Sequence, residues 1–332
     1  MNIKKKLKSF TKSSPTFDKL WVILWWNKTK RRALKYSDFE YAKKLWKKHT
    51  GKQTDFSNPQ TLDEKMWYLK LSNRDPLITI CSDKHRAREY VKECGYEHIL
   101  KQEYACFENA NDINFSKLPS PCYIKCNHAS GMNFIYYKNK PIDEKHLKWK
   151  FNYLLSQQPY YLSREWNYKN IEPRIICEEV LDMPDGVSDI PELQFFCFDG
   201  KVKFIIYNLG LADKDGEHKE PIRWALWSDW SLVQEATKLN YSDELPDKPQ
   251  NFDEMLECAT KLSEKFPFVR VDLFNINGKI YFNELTFYSG GGFTLSKTEV
   301  IQNLGEYIDV SNYKITEDAL RHRTREEVKN GD

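Results

Sequence analysis

The stretch VRVDLFNINGKIYFNELTFYSGGG, residues 269–292, constrains this chain more than any other. Two runs rich in β-branched and aromatic residues flank Asn277-Gly278, the pattern of a β-hairpin. Each run also carries a carboxylate, Asp272 and Glu284. A sheet made only for stability excludes such groups, because burying a charge is costly unless it is paired. Side chains alternate along a strand, so Arg270 and Asp272 share one face, and Val269, Val271 and Leu273 share the other. The turn decides whether the two acids meet. A two-residue type I′ turn pairs 271 with 284 and sends the acids to opposite faces. A three-residue loop, Ile276, Asn277 and a left-handed Gly278, pairs 270 with 284 and gathers Arg270, Asp272 and Glu284 on one face. The second register is the expectation, because it accounts for three charges in one place.

Two converging carboxylates repel, and one is driven to hold a proton unless a cation lies between them. Mg²⁺ suits such a place, since it takes one or two carboxylates and completes its shell with phosphate oxygens. The alternative is that each acid pairs separately with Lys or Arg on an exposed face.

The rest of the chain alternates hairpins with helices. PCYIKCNHASGMNFIYYKNK is an apolar run, a small polar loop and a second apolar run, and PRIICEEVL is a further strand. ELQFFCFDGKVKFIIYNLG is a hairpin turning at Asp199-Gly200. Phe252, Met255, Leu256, Ala259, Leu262 and Phe266 fall on one side of a helix, with Asn251 and Glu254 spaced as a capping box. Helical spacing also covers 36–50 and 62–71, and Ser82 or Asp83 is placed to cap a helix running to Gly95. This order points to an α+β fold, helices against antiparallel sheet, rather than a doubly wound parallel sheet. Neither GxGxxG nor GxxxxGK[ST] occurs, which leaves a Rossmann or P-loop site without support.

Two more segments suit a nucleotide. Lys125 ends a strand just before a small loop closing at Gly131, where backbone N–H groups can approach phosphate oxygens. Glu178 and Glu179 follow an apolar run whose backbone can read a base edge. The plainer reading of a strand lysine is an edge gatekeeper.

Net charge is +3, but residues 1–50 hold 15 Lys or Arg against Asp18, Asp38 and Glu40, leaving −9 for the remainder. The apolar run at 20–26 is far shorter than the ~20 residues that span a bilayer. Asp18 and Lys19 interrupt the pattern of a secretory signal. Two readings of this arm stay open: a surface helix with a solvated basic face, or peripheral attachment to an anionic membrane or an acidic polymer. The eight cysteines contain no CxxC, so buried reduced thiols in a cytoplasmic protein are expected, and a zinc site is not.

Taken in order, LDEKMWYLKLSNRDPLITICSDKHRAREYV, LPSPCYIKCNHASG, EWNYKNIEPRIICEEVL, FFCFDGKVKFI and KFPFVRVDLFNINGKIYFNELTFYSGGGF resemble the teichuronopeptide-biosynthesis (TupA-like) branch of the ATP-grasp superfamily, over 62–305. The resemblance implies two α+β lobes with antiparallel sheets enclosing ATP. It divides the chain into a basic helical N-terminal extension (1–55), a helical and α+β region (56–120), a small lobe (121–181), a large lobe with the metal site (182–310) and a charged tail (311–332). Carried over by position, it implies that Lys84 and Lys125 hold phosphates, and that Ser130 and Gly131 belong to a loop closing over them. Glu178, Glu179, Val180 and Leu181 would form the adenine hinge. Asp272, Glu284 and Thr286 would bind Mg²⁺, Arg270 would face the transferred phosphate, and the glycines at 290–292 would let backbone approach the reacting groups.

Two positions depart from the family pattern within that span. Thr286 stands where an asparagine is usual, and Glu192-Leu193-Gln194 replaces a DYK-like segment, removing a lysine. The implied function is an ATP- and Mg²⁺-dependent carboxylate–amine ligase that joins an amino acid or amine to a uronic-acid-containing polysaccharide or its precursor. Trp166, Trp224, Trp227 and Trp230 would serve either as sugar-stacking surface or as core. The competing readings are a glycosyltransferase or sugar kinase of polysaccharide biosynthesis, a different enzyme class, and a degenerate ATP-grasp scaffold without catalysis.

Overall fold

The computed structural model describes residues 14–129, 133–182, 190–210, 221–236, 239–295 and 298–330. Among the described residues, nine strands form two antiparallel sheets. The smaller holds β1 (Glu103–Phe107), β2 (Cys122–Cys126), β3 (Asn133–Tyr136) and β4 (Ile175–Glu178) in the order β1-β4-β2-β3. The larger holds β5 (Glu192–Phe198), β6 (Lys201–Leu209), β7 (Ile222–Trp227), β8 (Phe268–Ile276) and β9 (Lys279–Thr286) in the order β7-β6-β5-β8-β9. The expected α+β class and the three hairpins are present.

Helices α1 (Pro15–Lys35), α2 (Asp38–Thr50), α3 (Leu62–Ser72), α4 (Pro76–Ser82) and α5 (Ala87–Glu93) precede the first sheet. Further on come α6 (Glu144–Leu155) and α7 (Phe252–Ser263). The chain closes with α8 (Glu317–Leu320) and α9 (Arg325–Asn330). Each sheet has its own core. Met255, Ala259 and Leu262 of α7 bury against Phe195, Phe196, Val269 and Val271 of the large sheet. Trp26 of α1 and Phe151 of α6 close over Ile124 and Cys177 of the small one. The Trp224 and Trp230 side chains belong to the large-sheet core, with their indole N–H groups on the carbonyls of Glu244 and Pro246.

Two helix starts differ from the sequence reading. Asn251 does not cap α7. Its amide instead donates to the Gly278 carbonyl at 2.8 Å and its oxygen accepts from Asn275, so it ties the helix to the β8–β9 turn. Asp83 caps a turn rather than a long helix, because its carboxylate accepts from the N–H groups of His85 and Arg86, and α5 begins at Ala87. Gly95 ends that helix as expected, with φ +89°.

Residues outside the two sheets are bound together by one buried charge. Asp38, first residue of α2, accepts two bonds from the Arg323 guanidinium at 2.8 and 2.9 Å and lies 3.3 Å from Arg164 Nε. The Tyr160 hydroxyl closes the group. This links the N-terminal helices to the segment between α8 and α9. Among the described residues, no helix is long and apolar enough to cross a membrane.

Candidate nucleotide and metal site

The β8–β9 turn is the two-residue form, with Asn277 at φ +50° and Gly278 at φ +79°, both left-handed as a type I′ turn requires. The three-residue loop expected from the sequence is not formed. The acids meet all the same, because β9 holds a bulge. Leu273 pairs with Phe282, yet Asp272 pairs directly with Glu284, leaving Asn283 as the extra residue. One bulged residue shifts the register by one and returns Glu284 to the face of Asp272. Gln194 on β5 pairs with Asp272 from the other side, so Gln194, Asp272 and Glu284 form one cross-strand row.

Arg270 organises the row. Its Nε donates to Asp272 Oδ1 at 2.7 Å, Nη1 to Ser289 Oγ at 2.9 Å and Nη2 to Thr286 Oγ1 at 3.2 Å. Glu284 Oε1 lies 3.5 Å from Nη2 and accepts from the Thr286 hydroxyl at 3.0 Å. Asp272 is 1% exposed while the Glu284 side chain is 36% exposed, so Asp272 forms the floor and Glu284 faces the cleft. Burial drives the Asp272 carboxyl well above its ordinary range, with Glu192 and Glu284 adding to the shift and Arg270 opposing it.

Glu284 behaves differently. Burial acts to raise it, but Lys84, Arg270, the Thr286 hydroxyl and Lys125 together hold it below the ordinary range. Lys84, just after α4, and Lys125, on β2 of the small sheet, thus act on an acid of the large sheet. Lys84, Tyr168, Asn283 and Glu284 line one narrow cleft.

The lysines are fixed by their surroundings. Lys84 follows α4, and its N–H donates to the Asn127 carbonyl at 3.2 Å. Asn127 is fully buried, with its amide on Asp83 Oδ1 and the Glu172 carbonyl, both at 2.9 Å. Its oxygen accepts from the Arg174 N–H. Asn127, His128 and Ala129 are all buried. Ser130 and Gly131 lie outside the described residues.

Lys125 on β2 shares Glu178 Oε1 with Lys101, a residue the sequence reading did not single out. Burial acts to raise Glu178, but the two ammonium groups outweigh it and hold the carboxyl at about 2. Burial pulls Lys125 down to about 8 despite Glu178. Glu178 thus fixes where the two positive charges stand. The side chain of Glu178 is committed to these lysines. Glu179 turns to residue 102, its N–H on the Gln102 carbonyl and its carboxylate on the Gln102 N–H. Val180 and Leu181, just past the end of β4, are partly buried.

Three further groups border the site. Glu192 accepts from Gln194 at 2.9 Å and from the bulged Asn283 at 2.7 Å, and burial raises its carboxyl. Lys70 is buried on α3, its Nζ on the carbonyls of Ser163 and Gly291 at 3.0 and 2.6 Å. Glu165 is raised by burial, with Lys70 opposing. The backbone turns tightly here: a Cβ on Gly292 would stand 2.9 Å from the Trp67 indole nitrogen, and φ is +97°. A signal for Glu192 was present in the sequence, as an acid in the same strand as the missing lysine.

The donors are hard oxygens of the kind Mg²⁺ takes, with both Asp272 oxygens accepting from Arg270 in this structure. Asp272, Glu284 and Thr286 offer oxygen, and Glu192 stands beside them. Among the described residues, no group of three or more His, Cys, Asp and Glu could hold an ion by itself. Two carboxylates completed by ligand phosphate oxygens is the arrangement Mg²⁺ commonly takes.

Comparison with the curated proteins gives no match. Among solved structures, the chain is similar to an L-amino acid ligase from Bacillus licheniformis at 17% identity and a TM-score of 0.40, covering 64% of this chain and 44% of that one. It is similar to D-alanine–D-alanine ligase from Bacillus anthracis complexed with ATP at 18% identity and a TM-score of 0.36, covering 63% and 56%. For phosphoribosylamine–glycine ligase from Thermotoga maritima the values are 15%, 0.39, 65% and 50%. The chain spans about half the length of these structures. The family described as TupA-like ATPgrasp matches residues 64–309, well over half of the chain, which therefore belongs to the TupA-like ATP-grasp family.

Proposed function

We propose that this protein is an ATP- and Mg²⁺-dependent carboxylate–amine ligase. Its substrates are a carboxylate-bearing saccharide, a uronic-acid polymer or its precursor, and an amino acid or amine. One observation carries the reading: Asp272 faces Glu284 across a bulge, with Arg270 holding Asp272 and the charges of Lys84 and Lys125 acting on Glu284. Family membership supports the ATP-dependent ligation. The saccharide rests on likeness to the teichuronopeptide branch. The reaction is placed in the cytoplasm, where ATP is available.

A carboxylate attacking the γ-phosphate brings two anions together, so catalysis consists of positioning and charge neutralisation. Lys84 and Lys125 take phosphate oxygens, and by likeness to the family Ser130 and Gly131 are assigned to the same phosphates. Backbone of Glu178, Glu179, Val180 and Leu181 takes the adenine. Arg270 neutralises charge on the transferred group. Asp272, Glu284 and Thr286 would hold Mg²⁺, which when bound supplies Lewis-acid stabilisation of phosphate charge.

The test is ADP release from ATP with candidate uronic acids and amines, and hydroxylamine as a trap for an acyl phosphate. ADP release that needs both acid and amine, with hydroxamate in the trap, is the expected result. Transfer of the γ-phosphoryl group to a sugar hydroxyl, with ADP released and no amine needed, would make it a kinase. Turnover of a nucleotide sugar without ADP would make it a glycosyltransferase. Gln194 at the lysine position favours one second reading, a non-catalytic scaffold, and absence of any turnover would leave that reading standing.

The Lys125 value of about 8 gives a pH dependence. The ammonium is charged at pH 7 and largely neutral at pH 9. Nucleotide affinity is expected to fall about tenfold between those pH values if the charge is needed for binding. Titration calorimetry across this range checks it, and Lys125→Met should show weak affinity at both pH values.

A further inference from the structure

Helix α1 is apolar on both sides. Its inner stripe, Asp18, Val22, Trp26, Thr29 and Ala33, lies against the body of the protein. Its outer side carries Leu20, Trp21, Leu24 and Trp25, exposed by 55, 43, 57 and 43%. A helix that is hydrophobic all round over two turns is normally covered on both sides. The exposed Lys28, Arg31 and Lys35 continue the same outer stripe. At 100° per residue all seven fall within an arc of about 140°.

The outer face has no negative charge. The one acid of α1, Asp18, is turned inward to His146 Nε2 and Lys150 Nζ, each at 3.0 Å. Just upstream, residues 4–12 contribute five more lysines in the sequence. Two tryptophans and two leucines next to basic groups on one stripe is the composition of a helix lying in a membrane interface. Indoles favour the headgroup level, and Lys and Arg meet lipid phosphates. The run is too short to span a bilayer, so the helix would lie on it.

We propose that the outer face of α1 docks the protein on an anionic lipid bilayer, with Leu20, Trp21, Leu24 and Trp25 inserted at the headgroup–acyl boundary and Lys28, Arg31 and Lys35 on phosphates. The inner stripe keeps α1 on the body, so docking would hold the whole enzyme at the surface. The proposal stands apart from the ligase reading, because α1 lies outside the residues that match the family.

The test is co-sedimentation of the full chain with vesicles of phosphatidylcholine alone and of phosphatidylcholine with 30% phosphatidylglycerol. Binding is expected only to the anionic vesicles, and it should weaken as salt is raised. Replacing Leu20, Trp21, Leu24 and Trp25 together by serine should lower partitioning by at least about tenfold. The variant should keep its fold with a modestly lower melting temperature, since the buried inner stripe is untouched while Trp25 loses its edge contact with Trp26. Lys28→Glu with Arg31→Glu, which leaves the apolar quartet intact, should lower partitioning to a similar degree and serves if the quadruple variant misfolds. Mg²⁺-ATP binding by both variants should match the wild type, whatever the ligase assay shows. Equal sedimentation of the wild type with neutral and anionic vesicles would overturn the proposal. So would undiminished binding by a folded quadruple variant. A wild-type dimer that ignores vesicles and becomes a monomer in the quadruple variant would assign the face to a second copy of the chain instead.

Discussion

Replacing Arg270 by alanine is expected to cut ATP-dependent turnover by roughly 10²–10³ and to destabilise the metal-free protein by about 3 kcal/mol at pH 7. Both effects have one cause. The guanidinium is held by Asp272, Thr286 and Ser289, with Glu284 at 3.5 Å, and Asp272 is 1% exposed. Without it, Asp272 and Glu192 are buried acids with no nearby cation, and each relieves the cost by holding a proton. Both carboxyls already lie above their ordinary range, and removing the positive charge raises them further. A carboxyl raised in the folded state contributes stability that is fully present below its unfolded value and is lost as pH rises through the folded one. The gap in melting temperature between wild type and Arg270→Ala is therefore expected to narrow as pH falls from 7 to 5. Arg270→Lys keeps the charge but loses the fork, so it should fall between the two. An alanine variant as stable as wild type at pH 7 would mean that the guanidinium does not neutralise this cluster.

The second large effect lies far from the nucleotide. Asp38→Ala is expected to destabilise the protein by about 3–5 kcal/mol, because it leaves Arg164 and Arg323 buried without their counter-charge. Both guanidiniums stand over the Tyr160 ring, at 5.9 and 4.8 Å from its centroid, and are 1 and 5% exposed. Denaturant unfolding measures the loss. Replacing Arg323 by leucine in the Asp38→Ala background should restore part of it, since one uncompensated charge is removed. A loss below about 1 kcal/mol would show that water reaches the pair.

The fold was legible where one signal acted alone. Alternation and Asn277-Gly278 mark the β8–β9 hairpin, and Asp199-Gly200 marks β5–β6. The short strands β1 and β7 do not stand out, because five and six residues, EYACF and IRWALW, show no alternation of apolar and polar side chains. Helix α6 was missed too, because Lys, His and Asn interleave its apolar positions. The site was half legible. Asp272, Glu284 and Arg270 stood out as charges in strands, and they do converge. The reason for their convergence was hidden: a bulge adds one residue and leaves no mark in the alternation, so Asn283 looked like any other strand position. Lys101, Asn127 and Glu192 depend on partners 44 to 91 residues away in sequence. No local pattern announces such pairs.

The central claim is that Asp272 and Glu284 together hold the metal–nucleotide complex. Titration calorimetry of ATP into the wild type and into Asp272→Asn/Glu284→Gln, each with and without Mg²⁺, tests it most directly. The account predicts tight binding by the wild type only when Mg²⁺ is present, and a loss of about 10- to 100-fold or more in the double variant. Binding that is indifferent to Mg²⁺ and equal in the two proteins would contradict it.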